Sequence, residues 1–330
     1  MQRTYRFARA RRTKNGAWHM HRLAPVSAVL KTGITSWSEK SLLASGWYPR
    51  GARDAASRLR WYATQFPIVE NDSTHYALPD PGHAHVWVER TPNRFTMNVK
   101  AFASLTEHYT DAARLPPDLR ERLPVHLRDA PRVYPRDLGC ELLGEVASRF
   151  RDAVEPLRQA GRLGVILFQY PVWFTCSPEN RAKLGRTREL VPGCRVAVEF
   201  RNATWMNERH ASETLALLRA HDIVYTCVDE PQGSAASIPP VAEATSDVAV
   251  VRFHGRRRAT WTTAVATTRE RFAYLYGDDE LREWVPKIRR LADRAAEVHV
   301  LMNNCYRDYA VRNARRMQEL LQPLGHELTR

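Results

Sequence analysis

No stretch of the 330 residues approaches eighteen consecutive apolar positions, and the N-terminus has no apolar core of a secretory signal. Neither a membrane span nor export is expected, and the chain reads as cytoplasmic. Cysteine is sparse. Cys140, Cys176, Cys194, Cys227 and Cys305 are scattered with no Cys-x-x-Cys pair, which argues against a zinc ribbon, a redox dithiol or a disulfide framework. Lysine is scarcer still: of 50 basic residues only Lys14, Lys31, Lys40, Lys100, Lys183 and Lys287 are lysine. Isoleucine is also rare, and the skew fits a GC-rich coding bias, so arginine abundance alone is a weak sign of function. No Gly-x-Gly-x-x-Gly or Gly-x-x-x-x-Gly-Lys-Ser/Thr loop follows any apolar run, which removes the main support for a nucleotide-binding doubly wound sheet.

What the chain does have is positive charge, formally +14, a balance that ordinarily suggests polyanionic partners. Half of that excess sits in the first 22 residues, where Arg3, Arg6, Arg9, Arg11, Arg12, Lys14 and Arg22 occur without an acid. That stretch has no apolar period, so residues 1–27 read as a flexible basic extension and residues 28–325 as the folded domain. The extension has three readings: translation starting at Met20 instead of Met1, an arm for nucleic acid or anionic surfaces, or an Arg-rich presequence. The first is preferred.

From Val29 onward, short β-branched runs alternate with segments of helical period, the pattern of βα units around a parallel sheet. Eight runs are expected as strands: Leu30–Thr35, Pro67–Asp72, Phe95–Lys100, Gly164–Gln169, Arg195–Phe200, Ile223–Val228, Val248–Phe253 and Val298–Asn303. Helices are expected over Asp54–Tyr62, Glu141–Gln159, Glu208–Ala220, Asp279–Asp293 and Tyr309–Leu321. Eight βα units in about 300 residues match a single (β/α)8 TIM barrel, whose closure leaves no sheet edge exposed. Two long connections, Phe102–Gly139 and Glu230–Asp247, follow strand C-termini, where barrels carry substrate loops.

Residues two apart in a strand share a face, and the expected strands end repeatedly in polar pairs. These are Glu70 and Asp72, Asn98 and Lys100, Glu199 and Arg201, and Arg252 and His254, joined by Gln169, Asp229, Asn303 and Asn304. A closed barrel would gather them into one ring. Charged strand ends also serve as ion-pair networks that hold a barrel rim together. So many after strongly apolar runs favours a functional pocket.

In order along the chain, Gly33-Ile34-Thr35-Ser36-Trp37, Trp47-Tyr48-Pro49, Val69-Glu70 with Asp72-Ser73-Thr74, and Glu89-Arg90-Thr91-Pro92 are followed by Val99-Lys100-Ala101 and Phe168-Gln169-Tyr170-Pro171. Ala197-Val198-Glu199-Phe200-Arg201, Val228-Asp229-Glu230-Pro231, Val251-Arg252-Phe253-His254-Gly255 and Asn303-Asn304 with Tyr306 complete the series. Together they resemble the YecE-like family, also called domain of unknown function 72, from about Leu30 to Leu321. The resemblance implies a TIM barrel and no established reaction. His75 stands where an aromatic residue is common, and Thr106-Glu107-His108 has one residue more than the usual Thr-His, so no family role carries over to either histidine.

The residues themselves suggest an enzyme of hydrolase or lyase type acting on an anionic, phosphate-bearing small molecule. Glu199 and Asp229 are the candidate acid and base, assisted by His254, while Lys100, Arg201 and Arg252 form a cationic wall. Asp72, Gln169, Asn303, Asn304, Trp37 and Tyr76 are candidate substrate contacts. No cofactor is expected; a magnesium or manganese site on Asp72, Glu199 and Asp229 is the metal alternative. Cys227 shares the Asp229 face and reads as a small core residue. Two other functions compete: a nucleic-acid binding or processing module, and a glycosidase using Glu70 or Glu199 with Asp229 as its carboxylate pair.

Overall fold

In the computed structural model, which describes residues 28–261, 268–324 and 327–328, all eight expected strands form. They are β1 (Val29–Thr35), β2 (Ile68–Asn71), β3 (Thr96–Lys100), β4 (Leu163–Gln169), β5 (Val196–Glu199), β6 (Val224–Asp229), β7 (Val248–Phe253) and β8 (Glu297–Met302). Each pairs in parallel with the next, and the ring closes twice: β1 runs beside β8 from Val29↔Glu297 to Ile34↔Met302 and beside β2 at Thr35↔Glu70. The chain is a (β/α)8 TIM barrel. A short segment, Glu327–Leu328, adds in parallel to β1. The basic extension expected over residues 1–27 lies outside the described residues.

Strand phase decides what fills the barrel. Ile68, Val165, Leu167, Ala197, Val224, Val248, Val250 and Leu301 form a separate buried apolar cluster, the inward layer on which the polar strand ends stand. The alternate positions, such as Val69, Val198, Cys227, Val251 and Val300, belong to the larger cluster packed against the helices. Counting by twos from the inner layer puts Glu70, Lys100, Gln169, Glu199, Arg252 and Asn303 inside the barrel at its C-terminal end.

The helices form where amphipathic period and end signals coincide. Asp54 caps Ala55–Tyr62 by accepting from the Ser57 amide at 2.7 Å, and Ser177 caps Pro178–Gly185, each satisfying an amide the helix leaves unpaired. The helix expected from Glu141 begins earlier, at Pro135, because left-handed Gly139 (φ 67°) joins two helical pieces across a kink. The segment expected as one helix over Asp279–Asp293 is two, Asp278–Arg282 and Val285–Ala292. Pro286 in the first turn of the second piece lacks the amide that would continue the first.

Gly33 marks the tightest approach in the wall. A Cβ there would fall inside contact distance of the Ile68 carbonyl oxygen. The Tyr62 hydroxyl, which donates to that carbonyl at 2.8 Å and accepts from the Ile34 amide at 2.9 Å, crowds the same spot. Gly33→Ala is expected to lower stability in urea denaturation by about 2 kcal/mol or more, since backbone must shift to admit the methyl. A change within about 0.5 kcal/mol would show that β1 and β2 are not held as closely as described.

Candidate functional site

The C-terminal mouth of the barrel opens into a cavity of about 1090 Å³. Its floor is a buried charge network centred on Arg252. One guanidinium nitrogen donates to Glu199 at 2.5 Å and the other to Glu70 at 2.6 Å, so one side chain from β7 joins β5 to β2. Glu199 also takes Arg201 at 2.8 Å, Gln169 at 2.7 Å and His254 at 3.2 Å. Arg201 turns Nη1 to Glu230 at 3.0 Å, and its Nη2 lies 3.4 Å from His254 Nε2. Burial pulls the Glu199 carboxyl upward, but the charges of Arg252 and Arg201 outweigh it and hold the group well below its ordinary range. Glu199 is thus an ionised, fully buried strut. It lies beneath the residues that line the cavity, with three donors on one oxygen and Arg252 on the other.

The network also sets one tautomer. Thr35 donates to the Asn303 side-chain oxygen at 2.5 Å, so the Asn303 amide nitrogen donates to His254 Nδ1 at 2.8 Å. His254 then carries its proton on Nε2, toward Glu199. Burial and the Arg201 charge push the His254 imidazole down to about 3, leaving it neutral.

Asp229 departs from expectation. It shares a face with Cys227, as its spacing requires, but that face looks away from the barrel interior. Its carboxylate accepts from Tyr276 at 2.7 Å, Trp284 at 2.6 Å and Arg256 at 2.7 Å, all in the layer outside the strands. The proposed Glu199–Asp229 pair is therefore not assembled, and neither is the metal set that included both. The inward position at that strand end is Glu230, which the sequence reading passed over. Its side chain accepts from the Ile238 amide at 2.7 Å and anchors the long loop after β6. Asn304 also points outward, donating to the Tyr274 carbonyl and to Asn313 at 2.8 Å. Trp37 is core, with its indole nitrogen on the Ala55 carbonyl and its ring edge-on to Trp87. Among the described residues no cluster of three or more His, Cys, Asp or Glu is disposed to hold a metal ion.

Of the expected substrate contacts, Asp72, Tyr76, Lys100, Gln169, Arg201, Arg252 and Asn303 do line the cavity. The cationic wall is mostly spent on carboxylates; Lys100 is the exception. It is 8% exposed, and among the described residues its ammonium has no hydrogen bond or close ion pair. Burial lowers its pKa, with Arg252 adding to the effect and Asp72 opposing it. Burial also raises the Glu70 carboxyl to about 8, against the pull of Arg252 and with the help of Asp72 and Glu199. One oxygen of Glu70 and one of Asp72 are buried without a hydrogen-bond partner.

Two further groups were not foreseen. His75 directs Nδ1 to the Ala101 carbonyl at 2.9 Å, and His108 directs Nδ1 to the Thr106 hydroxyl at 2.9 Å, itself a donor to Ala103. Both rings line the cavity edge to face, 5.0 Å between centroids, with the Nε2 lone pairs left bare. Burial, then the Lys100 charge, pushes His75 down to about 2 and His108 down to about 4. Left-handed Glu107 (φ 63°) turns the chain just before His108, the kind of costly backbone that clusters at functional sites.

Residues 31–329 match the family described as "Protein of unknown function DUF72". The chain belongs to that family. Within it, the chain is 30% identical over 293 residues to the UPF0759 protein YunF of Bacillus subtilis (strain 168), covering 88% of this chain and 93% of that one. Among solved structures, a DUF72 protein of Thermotoga maritima MSB8 aligns with a TM-score of 0.69 and 29% identity, over 89% of this chain and 99% of the other. One from Enterococcus faecalis V583 aligns with a TM-score of 0.71 and 24% identity, over 88% and 95%. The DUF72 assignment brings the barrel with it and leaves the chemistry to be read from the cavity.

The neutral histidines give a signed pH dependence. A histidine freed by unfolding binds a proton below about 6.5, whereas buried His75 resists until about 2. Below pH 6.5 the unfolded state therefore holds more protons and stability falls with pH. His75→Phe removes that contribution. Urea unfolding between pH 7.5 and 4.5 should show the wild type losing up to about 1.4 kcal/mol per pH unit more than the variant below 6.5. Parallel profiles would mean that His75 is not kept neutral by the fold.

Proposed function

We propose that this DUF72 protein is an enzyme of the lyase or hydrolase type that takes a small anionic, phosphate- or carboxylate-bearing substrate into the barrel mouth. One observation carries the reading: the Lys100 ammonium, by the floor of a cavity large enough for a metabolite, has no hydrogen bond or close ion pair among the described residues. An unpaired buried cation is costly, and an anion entering the cavity relieves that cost. The bare Nε2 atoms of His75 and His108 supply bases beside it, and Asp72 supplies a carboxylate. Glu199, Arg201, Arg252 and His254 act beneath the substrate by fixing the floor.

The glycosidase reading, which pairs Glu70 or Glu199 with Asp229, lacks support, because Asp229 is held by Tyr276, Trp284 and Arg256 outside the strands while Glu70 and Glu199 are tied to one guanidinium beneath the cavity. Nucleic-acid binding retains one specific support. Tyr76 and Trp173, 62% and 53% exposed, line the mouth and could stack on bases.

Titration calorimetry with small phosphates, carboxylates and a single-stranded oligonucleotide separates the readings. At least one small anion should bind the wild type and lose about tenfold or more in affinity with Lys100→Met, a difference of about 1.4 kcal/mol. Equal affinity in both proteins would remove Lys100 from the site. Binding confined to the oligonucleotide, and falling steeply with salt, would favour the nucleic-acid module.

A further inference from the structure

We infer that Lys100 is a covalent nucleophile, forming an imine with the carbonyl carbon of an anionic aldehyde or ketone such as a 2-oxo acid or a sugar phosphate in its open form. The inference rests on the anionic-substrate reading above and names the functional group that reading leaves open.

A lysine whose only task is to hold an anion is best placed as a hydrated point charge on a flexible stem. Lys100 instead leaves the end of β3 as an inward residue, 8% exposed and lining the cavity, and its ammonium has no hydrogen bond or close ion pair among the described residues. Its neighbour Arg252 is already committed to Glu70 and Glu199. Desolvation and a second cation close by are the two ways a lysine is made nucleophilic, and burial does lower its proton affinity. Protonated, it draws the anion in; deprotonated, it attacks.

The step balances without an oxidant or reductant. The Lys100 lone pair bonds to the carbonyl carbon and the carbonyl π pair moves to oxygen. A proton passes from nitrogen to that oxygen, giving a carbinolamine. Its hydroxyl leaves as water on taking back the proton that the Lys100 ammonium gave to the Asp72 carboxylate before the attack, Asp72 being the carboxylate that lines the cavity with Lys100. The product is a protonated imine. It carries the same single positive charge as the ammonium it replaces, so the charge balance of the floor is undisturbed. The adjacent carboxylate or phosphate of the substrate keeps its countercharge. His108, the less depressed of the two imidazoles, can then take a proton from the carbon beside the imine, where C–H acidity is raised.

The chain is well suited to the test because it has six lysines in all. Three described ones are engaged, Lys31 with Glu297, Lys183 with Glu107 and Lys287 with the Pro240 carbonyl. Lys40, which also lines the cavity but is exposed, serves as the reference for an unburied amine offered the same bound compound. The full chain is incubated with glyoxylate, pyruvate or glyceraldehyde 3-phosphate, reduced with borohydride and mapped by peptide mass spectrometry, with binding of each compound measured in parallel by calorimetry. With at least one compound, Lys100 should be labelled about tenfold or more above Lys40, as expected when one pKa unit changes the free-amine fraction tenfold. Lys100→Arg should still bind that compound and show no adduct at position 100; Lys100→Met, folded by circular dichroism, should show none. Binding without an adduct at Lys100, or labelling no greater than at Lys40, overturns the imine and leaves the anion site standing. If none of the three carbonyl compounds binds while simple phosphates do, the imine is again overturned. If no anion binds at all, both readings fall.

Discussion

The mouth of this barrel depends on one guanidinium. Arg252 is fully buried, and its two terminal nitrogens are divided between Glu70 on β2 and Glu199 on β5. Burying three charged groups costs several kcal/mol each, and only close, hydrogen-bonded pairing offsets it. Neighbouring strands are already joined by their ladders. Arg252 ties strands that are not neighbours, across the interior, and so fixes how the ends of β2, β5 and β7 sit relative to one another. Arg201 extends the same tie to Glu230 and the loop after β6.

That economy explains why the cavity is not the cationic wall that its residue types suggest. The floor gathers four carboxyl groups, Glu70, Asp72, Glu199 and Glu230, against three cations, Lys100, Arg201 and Arg252, with His254 neutral. Both Glu70 and Glu230 are raised by burial, Glu70 to about 8 and Glu230 to about 7. A proton held on one of them brings the cluster to balance. Arg201 and Arg252 are consumed internally, and Lys100 is the floor cation left without a carboxylate partner among the described residues, with Lys40 and Arg271 also lining the cavity.

The architecture was legible because a strand buried on both faces needs consecutive β-branched residues. Runs such as Val248-Ala249-Val250-Val251 stand out whatever follows them. Register with the interior was harder. Spacing puts Cys227 and Asp229 on one face, yet which face looks inward is decided by the apolar layer, and only the closed ring shows that Val224 belongs to it. Counting Val224, Thr226, Val228 and Glu230 would have selected the inward carboxylate. His75 and His108 lie beyond strand ends in segments with no period, brought together by a turn and a left-handed residue, so no pattern in the sequence announces them. The break between Arg282 and Val285 was hidden for the opposite reason. The buried stripe of Leu281, Trp284, Ile288 and Leu291 continues across it, so the periodicity does not register the interruption.

Structural and functional polar groups at this barrel end are separated by whether they are satisfied. Glu199 receives four donors, Asp229 receives donors from three side chains, and Asn303 bridges Thr35 to His254; a group so fully occupied can hold the fold but has little left to offer a ligand. Among the described residues, one oxygen each of Glu70 and Asp72, like Arg252 Nε and Asn304 Oδ1, is buried without a hydrogen-bond partner, and the Lys100 ammonium and Nε2 of His75 and His108 have none either. Lys100, Asp72, His75 and His108 line one cavity, with Glu70 directly beneath. Each such group weakens the fold while unpaired. Orphaned polar atoms occur elsewhere in the barrel too, but those of Lys100, Asp72, His75 and His108 share one open cavity, and it is on that shared space that the anion-site proposal rests.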